Sequence, residues 1–174
     1  MNLVDKRWKT LFFFCLGLAI SAAFCMKWLE TEFQLGADRF TMIGLELTYS
    51  REKVLSILGG IDAHTRAVVG YQLYFDFVFM AGVYPGIAAL CMLVRSRLVS
   101  SWARSLLSVL AFVQTLAWAT DIRENLYLLH WLKTPVIGNE FTFYHVVVIA
   151  KWSIALFGCV GALVAWLTWS KRKE

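Results

Sequence analysis

An all-α, membrane-embedded four-helix bundle is the fold class this sequence predicts, on three observations. The composition is 59% hydrophobic with a mean hydropathy of +0.62, above the roughly half-apolar balance of soluble domains. The charges are clustered, which leaves four apolar runs, each long enough to cross a hydrocarbon core that takes about 20 helical residues. The basic residues behind the net charge of +5 gather at the ends of those runs. A length of 174 residues makes one membrane domain over 1–174 the default, and no internal repeat, low-complexity tract or linker divides it.

The runs cover about 8–28, 70–94, 102–132 and 142–169. The third would be about 46 Å long as a helix, so its ends must protrude or tilt. The first has the basic start and the small residues Ser21, Ala22 and Ala23 of a signal peptide. Phe24 before Cys25 makes a poor cleavage site, and a retained helix is the expectation. Gly17-x-x-x-Ser21 offers it a small-residue packing face.

Orientation follows from the flanks. Lys6, Arg7 and Lys9 precede the first run, Arg95, Arg97 and Arg104 separate the second from the third, and Lys171, Arg172 and Lys173 follow the fourth. The remaining short connection has only Lys133 against Glu140. The positive-inside rule then puts both termini and the 95–104 segment in the cytoplasm. Trp8, Trp102, Trp166 and Trp169 fit an inner aromatic belt, and Trp28 and Trp131 an outer one. This placement accounts for the basic balance, so the bilayer is the expected partner and nucleic acid is not. Cys15, Cys25, Cys91 and Cys159 all fall inside apolar runs, without the spacing of a disulfide framework or zinc site.

The 41-residue exocytoplasmic connection over 29–69 is the one sizeable loop. Residues 40–49 alternate as a short strand, with Ile43, Leu45, Leu47 and Tyr49 on one side. Residues 50–58 read as an amphipathic helix with Val54, Leu55 and Leu58 on its apolar face, stopped by Gly59-Gly60. Asp62 is placed to cap the following helix. A connection this long with this much apolar patterning is expected to lie as a lid on the bundle's outer mouth.

Chemistry is carried by the ionisable groups inside the runs: Asp76 in the second, Asp121, Arg123 and Glu124 in the third, and Lys151 in the fourth. Such groups are costly in lipid and face the interior or a cavity. Asp121, Glu124 and Asn125 share a helix face by their i, i+3, i+4 spacing, whereas Arg123 points about 200° away from Asp121. Counted from the span ends, Asp76, Asp121, Glu124, Asn125 and Lys151 fall at similar depth in the outer half of the bilayer. They form a candidate ligand pocket to which Tyr74, Tyr84 and His145 can add hydrogen bonds. Three carboxylates and one ammonium leave a formal −2, which protons, a cation or a cationic amphiphile would balance. The plain alternative is an Asp–Lys pair with an Asn holding helices together in lipid. Gly82-Val83-Tyr84-Pro85-Gly86 combines a small-residue contact with a proline that removes a backbone hydrogen bond. Gly158, Gly161 and Ala162 read as packing positions. His64, His130 and His145 have no ligand spacing, so no metal site is expected.

Leu45-Glu46-Leu47-Thr48 before the short helix, Phe75-Asp76-Phe77-Val78-Phe79, Asp121-x-x-Glu124-Asn125 and Lys151 together resemble a loose group of small four-span bacterial membrane proteins. The resemblance spans nearly the whole chain. It implies a unit of fold in a bacterial cytoplasmic (inner) membrane and carries no chemistry, so catalytic residues and cofactors stay unassigned.

Three function classes remain. One is a binding or transport-related protein whose acidic pocket takes a cation, a proton or a lipid-like ligand with a cationic head. Another is a membrane enzyme acting on a lipid or isoprenoid with carboxylate acid–base or metal chemistry. No nucleophile motif, HExxH or phosphate-binding loop supports the enzyme. The third is a structural or accessory subunit. A transporter of four helices without an inverted repeat would have to work as a homodimer.

Overall fold

The computed structural model describes residues 3–170. The basic residues 171–173 and the Trp169 side chain, expected at the inner face, lie outside the described set. The order is α1 (Leu3–Glu30), β1 (Gln34–Leu35), β2 (Asp38–Arg39), α2 (Met42–Glu46), α3 (Arg51–Gly60), α4 (Ala63–Arg95), α5 (Ser101–Lys133) and α6 (Glu140–Ser170). The two strands form a minimal antiparallel hairpin pairing Gln34 with Arg39 and Leu35 with Asp38. Its turn needs the positive φ of +63° that Gly36 supplies. The architecture is all-α, and four helices (α1, α4, α5 and α6) are long and apolar enough to cross a membrane.

Side-chain oxygens define where helices start. Thr41 accepts from Gly44 N at the head of α2, Ser50 from Lys53 N at α3, Asp62 from Thr65 N at α4 and Ser100 from Ala103 N at α5. Each satisfies one amide that the helix itself leaves free. The Asp62 cap, a 2.7 Å bond, starts α4 seven residues before the expected boundary. With α1 running on to Glu30, the connection shortens to 31–62.

Consecutive long helices run antiparallel, and α4 packs parallel to α6. A Cβ on Gly82 would fall 2.7 Å from Ala19 N and 2.8 Å from Cys15 O, and one on Gly86 would meet Cys15 Cβ at 3.3 Å. That packs α4 against the α1 backbone, as the small-residue reading of α4 expected. On α1, however, the buried face is Cys15, Ala19 and Ala22, whereas Gly17 and Ser21 are exposed. Alanine and cysteine are small enough to admit the glycine seam, so the Gly17–Ser21 pair is not needed. Gly158 and Gly161 let α6 approach Gln114 and Leu110 of α5 closely. Proline at 85 does not interrupt α4.

The connection folds as a cap. Phe33, Met42, Leu45, Val54, Leu58 and Ile61 share one buried core with residues at the adjoining ends of α4, α5 and α6, among them Leu73, Leu128 and Tyr144. Arg66 fastens the edge by donating to the Leu132 and Leu58 carbonyls. The 40–49 strand expectation is overturned. Met42, Leu45 and Glu46 are buried while Ile43 and Leu47 are exposed, which is helical spacing, and the Thr41 cap begins that helix. Trp131, expected in an outer belt, is fully buried and packs edge-on to Tyr144 at 4.9 Å.

Candidate functional site

Lys151 is the centre of the site. It projects from the middle of α6 and is 5% exposed. Its Nζ donates to Asp121 Oδ1 at 2.8 Å and to Glu46 Oε2 at 3.1 Å. Glu124 Oε2 lies 2.7 Å away, outside hydrogen-bonding angles, so that contact is ionic rather than a directed bond. Three carboxylates thus surround one ammonium, which offsets the cost of taking it out of water.

The face predicted on α5 is formed. Asp121, Glu124 and Asn125 are all buried, held there because Ala117 and Leu128 on the same face pack into the interior. Tyr84 donates its hydroxyl to Asp121 Oδ2 at 2.7 Å, so both Asp121 oxygens are engaged. Asn125 Nδ2 donates to Asp76 Oδ2 at 2.7 Å and reaches the Leu73 carbonyl at 3.4 Å. Asp76 is therefore tied to the cluster through Asn125, and no described cation lies within 4.0 Å of it.

Two expected members fall elsewhere. Tyr74 is 57% exposed, because two residues of helix turn it about 200° from Asp76. His145 stacks on Tyr49 at 4.6 Å and meets Phe141 edge-on at 4.8 Å. Six residues before Lys151, it sits about 240° around α6. Arg123 points away as predicted, with its guanidinium 4.7 Å from the Tyr127 ring centre.

Glu46 is the residue that sequence reasoning missed. It is 6% exposed and comes from the cap, not from a long apolar helix. With it the cluster holds four carboxylates (Glu46, Asp76, Asp121 and Glu124) and one ammonium, a formal −3. Gln72 was missed as well. It lies one turn before Asp76 on α4, is 3% exposed, and its Oε1 has no hydrogen-bond partner.

A cavity of about 200 Å³ opens beside the cluster. Asp76, Asp121, Lys151, Glu46 and Gln72 give it one polar side, and Ala23, Met26, Phe79, Val83, Tyr84 and Trp152 are among the residues that line the rest. Helices α1 and α6 flank it. They do not pack on each other as α1 does on α4 and α5 does on α6, which leaves a side opening. At its rim Lys27 pairs with Glu30, whose other oxygen accepts from Met42 N at 2.8 Å. Lys151 occupies the middle of the carboxylates, and among the described residues no three His, Cys, Asp or Glu side chains are arranged to hold a metal.

No family model matches the sequence, and no curated protein or solved structure is significantly similar to it.

Proposed function

We propose that this chain is a four-span protein of a bacterial inner membrane whose cavity binds an amphiphile through a cationic head. The basic flanks support an arrangement with both termini and the 96–100 turn in the cytoplasm, since Lys6, Arg7, Lys9, Arg95, Arg97 and Arg104 fall at one end of the antiparallel helices. Exposed Phe13, Phe24, Phe112, Leu116, Phe157 and Leu167 fit lipid-facing surfaces. In this arrangement the cap and the acidic cluster belong to the outer half.

The observation that carries the binding reading is Asp76. It is a carboxylate on a cavity wall with no cation of the described chain within 4.0 Å, in a cluster with three more carboxylates than ammonium groups. Out of water, that excess demands protons or an added positive charge. The size of the cavity narrows the ligand. At about 200 Å³ it is below the roughly 300–1,000 Å³ of pockets that enclose a whole small molecule. It suits a head and the first methylenes, with the rest of the chain leaving between α1 and α6 into the bilayer.

The test is thermal unfolding of the purified protein in non-ionic detergent with dodecylamine, dodecanol or dodecanoate. A ligand that binds only the folded state raises Tm. The amine is expected to raise it, the alcohol and the carboxylate are not, and Asp76→Asn is expected to remove the amine's effect. Equal shifts from all three, or an amine shift that survives Asp76→Asn, would discard the reading.

A further inference from the structure

We infer that the cavity selects a head bearing N–H bonds, a primary ammonium seated between Asp76 and Gln72, over a quaternary ammonium of the same charge. The inference rests on the proposed amphiphile site and names the chemistry of its head.

Within the cluster, the carboxylates other than Asp76 already face a cation. Lys151 and Tyr84 hold the two oxygens of Asp121. Glu46 and Glu124 face the same Lys151 Nζ at 3.1 and 2.7 Å. What remains among the cavity-lining side chains is a carboxylate without a cation, Asp76, and the Gln72 carboxamide, whose buried Oε1 has no donor. They are four residues apart on α4, so the helix sets them one above the other on the same face. A buried acceptor left unpaired is costly, and native interiors seldom keep one without a partner. A group that serves both must carry positive charge for Asp76 and a separate N–H for Gln72. A primary ammonium has three donors. A trimethylammonium has none, would leave Gln72 Oε1 orphaned, and is recognised instead by aromatic faces. The largest aromatic on the wall, Trp152, already has Lys151 Nζ 5.5 Å from its ring centre. The wall thus offers hydrogen-bond acceptors and, besides Tyr84 bonded to Asp121, one further ring in Phe79, whereas a quaternary head is held by a cage of several.

The measurement is competitive binding of dodecylamine and dodecyltrimethylammonium to the full chain in nanodiscs of neutral lipid. The primary amine is expected to bind more than about tenfold tighter, because the other head can make a hydrogen bond neither to Asp76 nor to Gln72. Gln72→Met is expected to lower that preference by roughly three- to tenfold by removing one of the two acceptors. Equal affinity of the two heads in the wild-type protein would overturn the inference while leaving the amphiphile site standing. Failure of both amines to bind would remove the site itself, and the inference with it. A preference undiminished in Gln72→Met would assign the selectivity to Asp76 alone and overturn the role given to Gln72.

Discussion

Glu46 Oε2 lies 3.1 Å from Lys151 Nζ, across 105 residues of chain. One partner sits on a five-residue helix of the cap and the other in the middle of an apolar helix. This pair ties the cap to the interior of the long helices and makes the cap part of the cavity wall. At the other end of α2, Glu30 accepts from Met42 N at 2.8 Å, so the short helix is held by a carboxylate at each end.

Removing Lys151 should therefore cost far more than one ion pair. Lys151→Met leaves Asp121, Glu124 and Glu46 without their shared counter-charge, an expected loss of about 3–5 kcal/mol. Adding Asp121→Asn or Glu46→Gln should restore part of it. Asp76→Asn should couple more weakly, because Asp76 bonds Asn125 and not Lys151. Double-mutant cycles by chemical unfolding in detergent measure these couplings. A coupling to Asp76 as large as that to Asp121 would contradict the geometry.

Close packing of α1 on α4 gives a paired prediction. A methyl group at residue 82 would enter the α1 backbone at 2.7 Å, whereas one at residue 17 meets nothing within 4 Å. Gly82→Ala should destabilise by about 1–3 kcal/mol through overpacking. Gly17→Ala should be neutral or stabilising, since alanine favours a helix over glycine. Thermal unfolding of the two variants side by side decides it, and a stable Gly82→Ala would mean that α1 does not dock there.

Outside the long apolar stretch, the cap of α4 predicts a pH response. The Thr65 N–H holds the Asp62 carboxyl below the usual aspartate range. A group whose acid dissociation is favoured by folding stabilises the fold while it is ionised. The contribution is thus fully present above the ordinary aspartate range and disappears as pH falls through the lowered value. Asp62→Asn, which still caps, should flatten the acid end of the stability profile. An unchanged profile would show that the cap does not report on unfolding.

Much of the fold could be read from the sequence because long apolar stretches and polar caps are local signals. The four long helices start and end within several residues of their expected positions, and Asp62 caps α4 as its place before that run predicts. The i, i+3, i+4 set on α5 also follows from geometry alone. Glu46 was hidden because residues 42–47 are too few to separate a period of 2 from one of 3.6. Ile43, Leu45 and Leu47 alternate, yet Thr41 before Gly44 was a usable helix signal. Tyr74 was misplaced for an avoidable reason, since its angle from Asp76 could be worked out beforehand. Gln72 could have been found by the same rule, since it lies four residues before Asp76 in an apolar run, and only its unpaired oxygen needed the surroundings to be known.

Membrane orientation can be tested on a variant lacking Cys15, Cys25, Cys91 and Cys159. A single cysteine at Asp38, in the exposed hairpin of the cap, should react with a membrane-impermeant maleimide in intact cells. One at Ser100, in the turn between α4 and α5, should react only after lysis. The opposite pattern would invert the proposed topology and place the acidic cavity in the inner half.

Glu124 separates charge from shape. Its side chain is fully buried, and its one charged partner among the described residues is Lys151. Glu124→Gln keeps the volume and the chance of a hydrogen bond while removing one negative charge from a cluster with a formal −3. If the excess charge is real, the change relieves repulsion among Glu46, Asp76, Asp121 and Glu124, and Lys151 still has two carboxylates within 3.1 Å. Tm should stay level or rise, in contrast to the loss expected for Lys151→Met. Amine binding should weaken less than in Asp76→Asn, because the proposed seat of the head is Asp76 and Gln72. Thermal unfolding with and without dodecylamine reads both effects in one experiment. A marked fall in Tm would show that Lys151 requires all three of its carboxylates ionised, and that the cluster is balanced as a structural ion pair network rather than poised for an added cation.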